Sequence, residues 1–134
     1  MTIVQVPDAD LLARAVHTFM EVEAGPEYLD APSALAFVAT AGDDIAGWCW
    51  GHHLARPDGE SMLYVHQLEV SASHRRKGIG RSLLVAFMDA GRAAGANKMF
   101  LTTGEGNASA RALYDSLGGG LAMQGPTVNY WFLL

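Results

Sequence analysis

The feature that most constrains the fold is a junction between an apolar run and a helix that begins at two glycines. Residues 63–70 (LYVHQLEV) are mostly apolar and are followed by a polar loop, residues 71–77, which is typical of a buried strand. Gly78 and Gly80 then open residues 79–94, where apolar side chains recur at helical spacing. The sequence therefore predicts a strand, a loop and a helix in direct succession.

The loop of this unit ends in three consecutive cations, Arg75, Arg76 and Lys77. The unpaired N–H groups at a helix N-terminus bind anions, and glycine lets the backbone approach a ligand closely. Together these features predict an anion site that suits a diphosphate. The alternative is a solvated surface loop, which is what most short charge runs are.

Two better-known phosphate motifs are excluded by direct comparison. The dinucleotide fingerprint G-x-G-x-x-G would need glycine at position 83, where the sequence has Leu83. The P-loop pattern G-x-x-x-x-G-K-[ST] occurs nowhere in the chain. A basic loop, a G-x-G pair and a helix remain to be explained.

This arrangement resembles the GNAT N-acetyltransferase superfamily, whose central motif [RQ]-x-x-G-x-[GA] is matched by Arg75, Gly78 and Gly80. The second signature of the superfamily is matched downstream by Asn107, Ala110, Leu113, Tyr114 and Gly118. The resemblance covers residues 35–134 well. Within the superfamily, residues 61–79 look most like the aminoglycoside 3-N-acetyltransferase branch.

A chain of 134 residues is expected to form one domain, and the resemblance implies that this domain, residues 1–134, is acetyl-coenzyme A-dependent and has an α/β fold. The expected sheet is mixed and mostly antiparallel, with splayed central strands that admit the coenzyme and with helices on both faces. The residue patterns agree, since they predict strands at 2–6, 35–40, 45–54, 98–103 and 128–134 and helices from Asp8 or Asp10 to about Glu23 and from Asn107 or Ser109 to Gly118. Residues 27–33 are expected to form a loop or a broken helical turn.

Charge placement points to the second substrate. Residues 1–60 contain ten acidic residues and two basic ones, whereas residues 61–134 contain four acidic and seven basic residues. The basic half holds the proposed diphosphate site, so the acidic half is expected to attract a cationic acceptor such as an amine. The net charge of −5 argues against nucleic acid as a partner.

Cysteine content and apolar-run length bear on the compartment. The single cysteine, Cys49, cannot form an internal disulfide, which fits a reducing cytoplasm. No apolar run has the length needed to span a bilayer, so no membrane association is expected. No histidine or cysteine spacing suggests a metal site.

Trp48, Trp50 and Trp131 lie on predicted strands and are expected to pack in the core, with Trp48 or Trp50 lining the acceptor cleft as an exception.

The resemblance also implies which residues hold the coenzyme. The pyrophosphate is expected on the strand–loop–helix junction, which comprises Arg75, Arg76, Lys77, Gly78, Ile79, Gly80 and Arg81. The pantetheine amides are expected on backbone groups of Leu68 and Val70, and the Leu68 N–H would polarise the acyl carbonyl. Asn107 is expected to contact the pantetheine arm, although a helix cap explains it almost as well.

The chemistry needs an acid for the leaving thiolate and a base for the amine. Tyr114 matches the position of the superfamily's tyrosine near the coenzyme sulfur, where a phenol can donate a proton. His66 and Glu69 are the candidate bases on the central strand, because Gln67 stands where relatives in the aminoglycoside branch often have an acid. Glu69 would need a bulge to turn it inward, and a water chain is a further alternative.

The acceptor is expected to be a small polycationic amine, with an aminoglycoside-like compound first and a polyamine or a peptide N-terminus next. Acidic residues near the end of the first helix, Glu21, Glu23, Glu27 and Asp30, are the candidate acceptor-binding groups. A non-catalytic acyl-coenzyme A sensor is the alternative from another functional class. The apolar C-terminal strand leaves pairing across a homodimer open.

Overall fold

A five-stranded sheet forms the centre of the first of two units into which the chain divides. The computed structural model describes all 134 residues, and the units are Met1–Thr102 and Thr103–Leu134. The first unit contains β1 (Thr2–Gln5), α1 (Ala9–Met20), α2 (Glu27–Asp30), β2 (Ala34–Ala41), β3 (Asp44–Ala55), β4 (Ser61–Val70), a short 3-10 turn (Ala72–His74), α3 (Ile79–Ala93) and β5 (Met99–Phe100). The second unit contains α4 (Ala108–Ser116). That one domain spans residues 1–134 stays a prediction.

The strands follow one another across the sheet in chain order. β1 to β4 are antiparallel neighbours, whereas β5 runs parallel to β4. The β4–β5 ladder consists of two residue pairs, Leu63 with Met99 and Tyr64 with Phe100, so residues 65–70 lie beyond it. The predicted mixed, mostly antiparallel sheet with an opening beside its central strand is therefore confirmed.

Helices cover both faces of the sheet. On one face of the sheet, α1 packs in a buried cluster. Its members are Leu12, Ala15 and Val16 of α1 and Val38, Ile45 and Trp48 of the strands. On the opposite face α3 buries Ile79, Leu83, Leu84 and Phe87, and the side chains of Ile79 and Leu83 lie against Gly47 of β3. This burial of apolar helix stripes on both sides supplies the core.

The first helix begins where the sequence predicts and ends earlier. The Asp8 carboxylate accepts a hydrogen bond from the Leu11 N–H at 3.0 Å, which caps the N-terminus. The helix ends at Met20 because Glu21 takes the left-handed conformation, with φ of 56°. Residues 21–23, which were expected to be helical, therefore lie in the loop that leads to α2.

Two strand predictions are wrong near the C-terminus. Residues 121–134 form no strand, and Trp131, which was expected in the core, is 93% exposed. β5 is limited to two residues, where residues 98–103 were expected to form a buried strand. An apolar run satisfies the strand pattern, but a strand also needs a neighbour that completes its hydrogen-bond ladder.

None of the helices is long and apolar enough to cross a membrane.

The second unit is built on α4. The Asn107 side chain accepts hydrogen bonds from the Ala110 N–H at 3.2 Å and from the Ser109 hydroxyl at 3.3 Å, so it caps this helix. The chain leaves the helix through Gly118, whose φ of 87° suits glycine, and the Gly119 N–H donates to the Tyr114 carbonyl at 2.9 Å. The predicted helix and both of its boundaries are confirmed to within two residues.

Gly51 in β3 offers a test of the sheet. A Cβ at this position would overlap the backbone carbonyl of Tyr64 on β4, which only a backbone shift can relieve. We expect Gly51→Ala to lower the free energy of unfolding by about 2 kcal/mol or more in urea denaturation. Gly104→Ala is the control because nothing lies within 4 Å of the position that its added methyl group would take. An equal effect of the two substitutions would contradict this packing.

Candidate functional site

The loop between β4 and α3 presents a helix N-terminus without a side-chain cap. Gly78 is the N-cap residue, its φ is 77°, and no side chain bonds to the first N–H groups of α3. Only glycine takes this conformation without strain, which explains the first glycine of the motif. Unpaired N–H groups and the positive end of the helix dipole make this terminus suited to a phosphate.

The three cations of the loop have different surroundings. Arg75 donates from Nε to the Val70 carbonyl at 3.0 Å and so ties the loop to the end of β4. Arg76 and Lys77 are exposed and take part in neither of the two ion pairs of the protein. Ile79 is 3% exposed, so its side chain belongs to the core and it can offer only backbone groups. All three side chains are exposed, so the charge next to the helix terminus comes from Arg75, Arg76 and Lys77.

Backbone groups of Leu68 and Val70 face away from β3. The Ser71 N–H donates to the carbonyl of Ala46 in β3, and the Glu69 carbonyl lies against Gly47. Since backbone groups alternate in direction along a strand, those of Leu68 and Val70 point to the side of β5. The β4–β5 ladder has already ended there, so β5 does not pair with these groups.

A β-bulge lies at the middle of β4. Trp50 pairs with Gln67 and Gly51 pairs with Val65, which leaves His66 as the extra residue. His66 stacks on the Trp50 ring at 4.7 Å, and the Gln67 Oε1 accepts from the Trp50 Nε1 at 3.1 Å. Two consecutive side chains thus contact the same ring, as a bulge allows.

The bulge also settles where Glu69 lies. The Gln67 Nε2 donates to the Glu69 Oε2 at 2.6 Å, so Glu69 lies on the same face as Trp50 and Gln67. A chain of two hydrogen bonds therefore connects the indole of Trp50 with the carboxylate of Glu69. The interpretation of the sequence required a bulge for Glu69 to turn inward, and β4 contains such a bulge.

His66 lies among other rings at the surface. The rings of Tyr64 and His52 meet it edge to face, with centroids 4.5 and 5.5 Å away. Partial desolvation lowers the pKa of His66, and the nearby His52 lowers it further. The imidazole is therefore neutral at neutral pH, which is the form that can accept a proton.

Two adjoining hollows lie beside α1 and the loop after it, and the smaller one reaches Trp48 and Trp50 of β3. The larger, which we name the acidic groove, has a volume of about 790 Å³ and contains Asp10, His17, Glu21 and Glu23 in its lining. The smaller, which we name the aromatic cavity, has a volume of about 210 Å³ and is lined by Leu12, Val16, Met20, Val22, Glu23, Gly25, Tyr28, Trp48 and Trp50. Leu12, Val22 and Glu23 line both.

The acidic residues selected from the sequence divide into two groups. Glu21 and Glu23 line the acidic groove, whereas Glu27 and Asp30 line neither hollow.

Asp10, Tyr28 and Gln67 were missed as candidate site residues. Tyr28 and Gln67 carry no sequence signal of their own, because the contacts that involve them depend on strand register and on the bulge.

Cys49 takes no part in the site. It is fully buried in β3, and burial raises the pKa of its thiol far above the usual range. A buried thiol that stays protonated is a poor nucleophile, so a covalent route through this residue is disfavoured. No group of three His, Cys, Asp or Glu residues could hold a metal ion.

The family of the chain is shown by its similarity to known proteins. The acetyltransferase (GNAT) family matches residues 9–118. The chain therefore belongs to the GNAT acetyltransferase family: it is an N-acetyltransferase, and acetyl-coenzyme A is its acetyl donor. No curated protein shows significant sequence similarity to the chain.

Solved structures share the fold at low sequence identity. The aminoglycoside acetyltransferase meta-AAC0020 from an uncultured soil metagenomic sample, in complex with sisomicin, has a TM-score of 0.84 and 18% identity over 99% of this chain and 95% of its own. HMB0005, an aminoglycoside acetyltransferase also from an uncultured soil metagenomic sample, has a TM-score of 0.78 and 21% identity over 100% of this chain and 99% of its own. AAC(6')-Iy in complex with the bisubstrate analogue CoA-S-monomethyl-acetylneamine has a TM-score of 0.79 and 17% identity over 99% of this chain and 98% of its own.

Proposed function

We propose that the protein acetylates a primary amine of a small polycationic acceptor, with an aminoglycoside-like compound as the first candidate. The observation that carries this proposal is the acidic groove, which presents Asp10, Glu21 and Glu23 next to an aromatic cavity. None of these carboxylates is in an ion pair, so they are free to attract cations. A polyamine is the second candidate and a peptide N-terminus the third.

The donor is proposed to bind at the β4–α3 junction. The uncapped N-terminus of α3 would hold the pyrophosphate on backbone N–H groups between Arg76 and Arg81, with Lys77 adding charge. Arg75 would act mainly by fixing the loop through its bond to Val70. The pantetheine arm would bond to the backbone groups of Leu68 and Val70 on the open side of β4, and Asn107 is proposed as a further contact of this arm.

The transfer would proceed by direct attack. The neutral amine attacks the thioester carbonyl, a C–N bond forms, the C–S bond breaks, and the coenzyme leaves as a thiolate that takes up a proton. The Leu68 N–H would stabilise the negative charge that develops on the carbonyl oxygen. The amine must lose a proton to a base, and the thiolate must gain one from an acid.

His66 is proposed as the base, with Glu69 as the second candidate. His66 lies at the surface and its lowered pKa keeps it neutral at neutral pH. Glu69 is joined through Gln67 to Trp50, which lines the aromatic cavity, so its carboxylate could act through ordered water. Tyr114 is proposed as the acid.

A cytoplasmic location and a homodimer stay predictions.

An amine panel tests the proposed function. We expect release of free coenzyme A from acetyl-coenzyme A with sisomicin or neamine, less with spermidine, and least with a peptide bearing a free N-terminus. Gly80→Asp places a negative charge at the start of α3 and should abolish both turnover and acetyl-coenzyme A binding in calorimetry.

The matched control is Gly120→Asp, which adds the same charge after α4, where the backbone is not left-handed and nothing lies within 4 Å of a Cβ. It should bind acetyl-coenzyme A like the unaltered protein. Equal affinities in the two variants would contradict the assignment of the loop. Absence of turnover with every amine would contradict the proposed reaction.

The pH profile of kcat/KM distinguishes the two bases. If His66 accepts the proton, activity falls as the pH drops through a pKa below about 6.5, because the imidazole becomes protonated. His66→Gln should remove this acid limb and lower kcat by about 100-fold or more. If the limb persists in His66→Gln and disappears in Glu69→Gln, Glu69 is the base and His66 is not.

The acid role of Tyr114 has its own test. Tyr114→Phe removes the phenolic proton donor and keeps the ring, so kcat should fall by about 100-fold while the affinity for acetyl-coenzyme A changes little. Tyr130→Phe, an exposed tyrosine in the C-terminal tail, is the control. An unchanged kcat in Tyr114→Phe would remove this residue from the mechanism.

A further inference from the structure

The wall of the aromatic cavity offers a ligand very few hydrogen-bonding groups. The Tyr28 hydroxyl lies 2.9 Å from the Leu35 carbonyl and 2.6 Å from the Gly51 carbonyl, and it accepts from the Leu35 N–H at 3.1 Å. The Trp50 Nε1 donates to Gln67 at 3.1 Å. These groups are engaged within the protein and have little capacity left for a ligand.

Trp48 adds no donor to this wall. The residue is 2% exposed and its Nε1 is buried. Its indole stacks on Phe19 with centroids 5.5 Å apart, so packing holds the N–H where a ligand cannot reach it. A hydroxyl or amide group that enters the cavity therefore gives up hydrogen bonds to water without gaining any from the aromatic side chains, whereas an apolar group gives up none.

The cavity has an apolar inner end and a charged opening. Its lining includes the buried side chains of Leu12 and Trp48 and the exposed side chains of Met20, Val22 and Glu23. Glu23 is the one charged residue of the lining, and it is in no ion pair. Its carboxylate therefore lies where the cavity meets solvent and attracts cations there.

The size of the cavity suits one ring. Its volume is about 210 Å³. An engineered apolar cavity of about 150 Å³ in another protein stays dry and binds benzene. Pockets for drug-sized ligands are larger, at about 300–1,000 Å³. The cavity therefore has room for a benzene-sized group and for little more.

We propose that the aromatic cavity binds a benzene-sized apolar ring of the acceptor and that the Glu23 carboxylate binds an ammonium group joined to this ring by a short chain. This inference rests on the proposed function and specifies the substrate class of the same site, which is an aralkyl amine. The rings of Trp50 and Tyr28 contact the bound ring, and they attract an ammonium group that lies over them.

Trp50 connects the cavity with the proposed base. It lines the cavity, and its indole stacks on the His66 imidazole with centroids 4.7 Å apart. A ligand in the cavity therefore contacts the same indole as His66. Further positive charges of the acceptor lie in the acidic groove, which shares Leu12, Val22 and Glu23 with the cavity. A hydroxylated ring is expected in this groove, where water can solvate it, and not in the cavity.

Three probes with one carbon skeleton test the inference. 2-Phenylethylamine carries the apolar ring and the ammonium group, 2-phenylethanol replaces the ammonium group with a hydroxyl, and tyramine adds a hydroxyl to the ring of the amine. In calorimetry without acetyl-coenzyme A, we expect 2-phenylethylamine to bind at millimolar concentration. Tyramine should bind about tenfold more weakly, because its ring hydroxyl finds no partner in the cavity.

The role of Glu23 is tested by removing its charge. The unaltered protein should bind 2-phenylethylamine about threefold more tightly than 2-phenylethanol. Glu23→Gln keeps the size of an exposed side chain, and it should bring the two dissociation constants to within experimental error of each other. Asp30→Asn is the control, since it removes an exposed charge from α2 outside both hollows and should leave the threefold ratio unchanged.

A third measurement locates the ligand in the unaltered protein. The methionine methyl signal that is missing in the spectrum of Met20→Leu identifies Met20. This methyl group and those of Val22 line the cavity and should show nuclear Overhauser effects to the ring protons of 2-phenylethylamine. Met88 of α3, on the opposite face of the sheet, should show none.

The inference is overturned if 2-phenylethylamine does not bind at millimolar concentration, if tyramine binds equally well, if the ratio of amine to alcohol does not depend on Glu23, or if the ring protons show no effect at Met20. These readouts are separate from the amine panel. Acetylation of sisomicin without binding of 2-phenylethylamine overturns this inference alone. Binding of 2-phenylethylamine without acetyl transfer to any amine overturns the proposed function and, with it, the role of the bound amine as an acceptor.

Discussion

Strand β4 is hydrogen-bonded to β3 along its length on one side and to β5 over only two residue pairs on the other. The site depends on this asymmetry. The paired side fixes which side chains face α1, and the open side leaves backbone N–H and carbonyl groups for an extended ligand. One strand can therefore serve the donor with its backbone and the acceptor with its side chains.

The bulge at His66 makes this division possible. Without the extra residue, side chains would alternate strictly, and His66 and Gln67 would point to opposite faces of the sheet. With it, both contact Trp50, and Glu69 follows on the same face. Both proposed bases, His66 and Glu69, thus reach this face through one irregularity in the ladder.

Much of the fold could be predicted from the sequence because local patterns determine it. The apolar runs of β2 and β3, the Asp8 cap and the two glycines at the start of α3 each act within a few residues. The motif around Gly78 also predicted the loop that is proposed to bind the donor, and the positive φ at that position favours glycine.

The remaining features depend on contacts that a linear pattern does not contain. The bulge arises from the register between β3 and β4, and the roles of Tyr28 and Gln67 follow from it. The apolar residues near the C-terminus satisfy the strand pattern without a partner strand, which is why residues 128–134 were predicted wrongly. The end of α1 at Met20 was likewise not predicted, because the left-handed conformation of Glu21 has no signal in the sequence.

The walls of the aromatic cavity differ in how freely they can change during evolution. Trp50 lines the cavity and also contacts His66 and Gln67, so a substitution there would change the cavity wall and the positions of these two side chains at once. Met20 and Val22 are 40% and 56% exposed and have no such second duty in the sheet. Divergence toward new acceptors is therefore expected to begin on the aliphatic rim, while the indole side stays fixed.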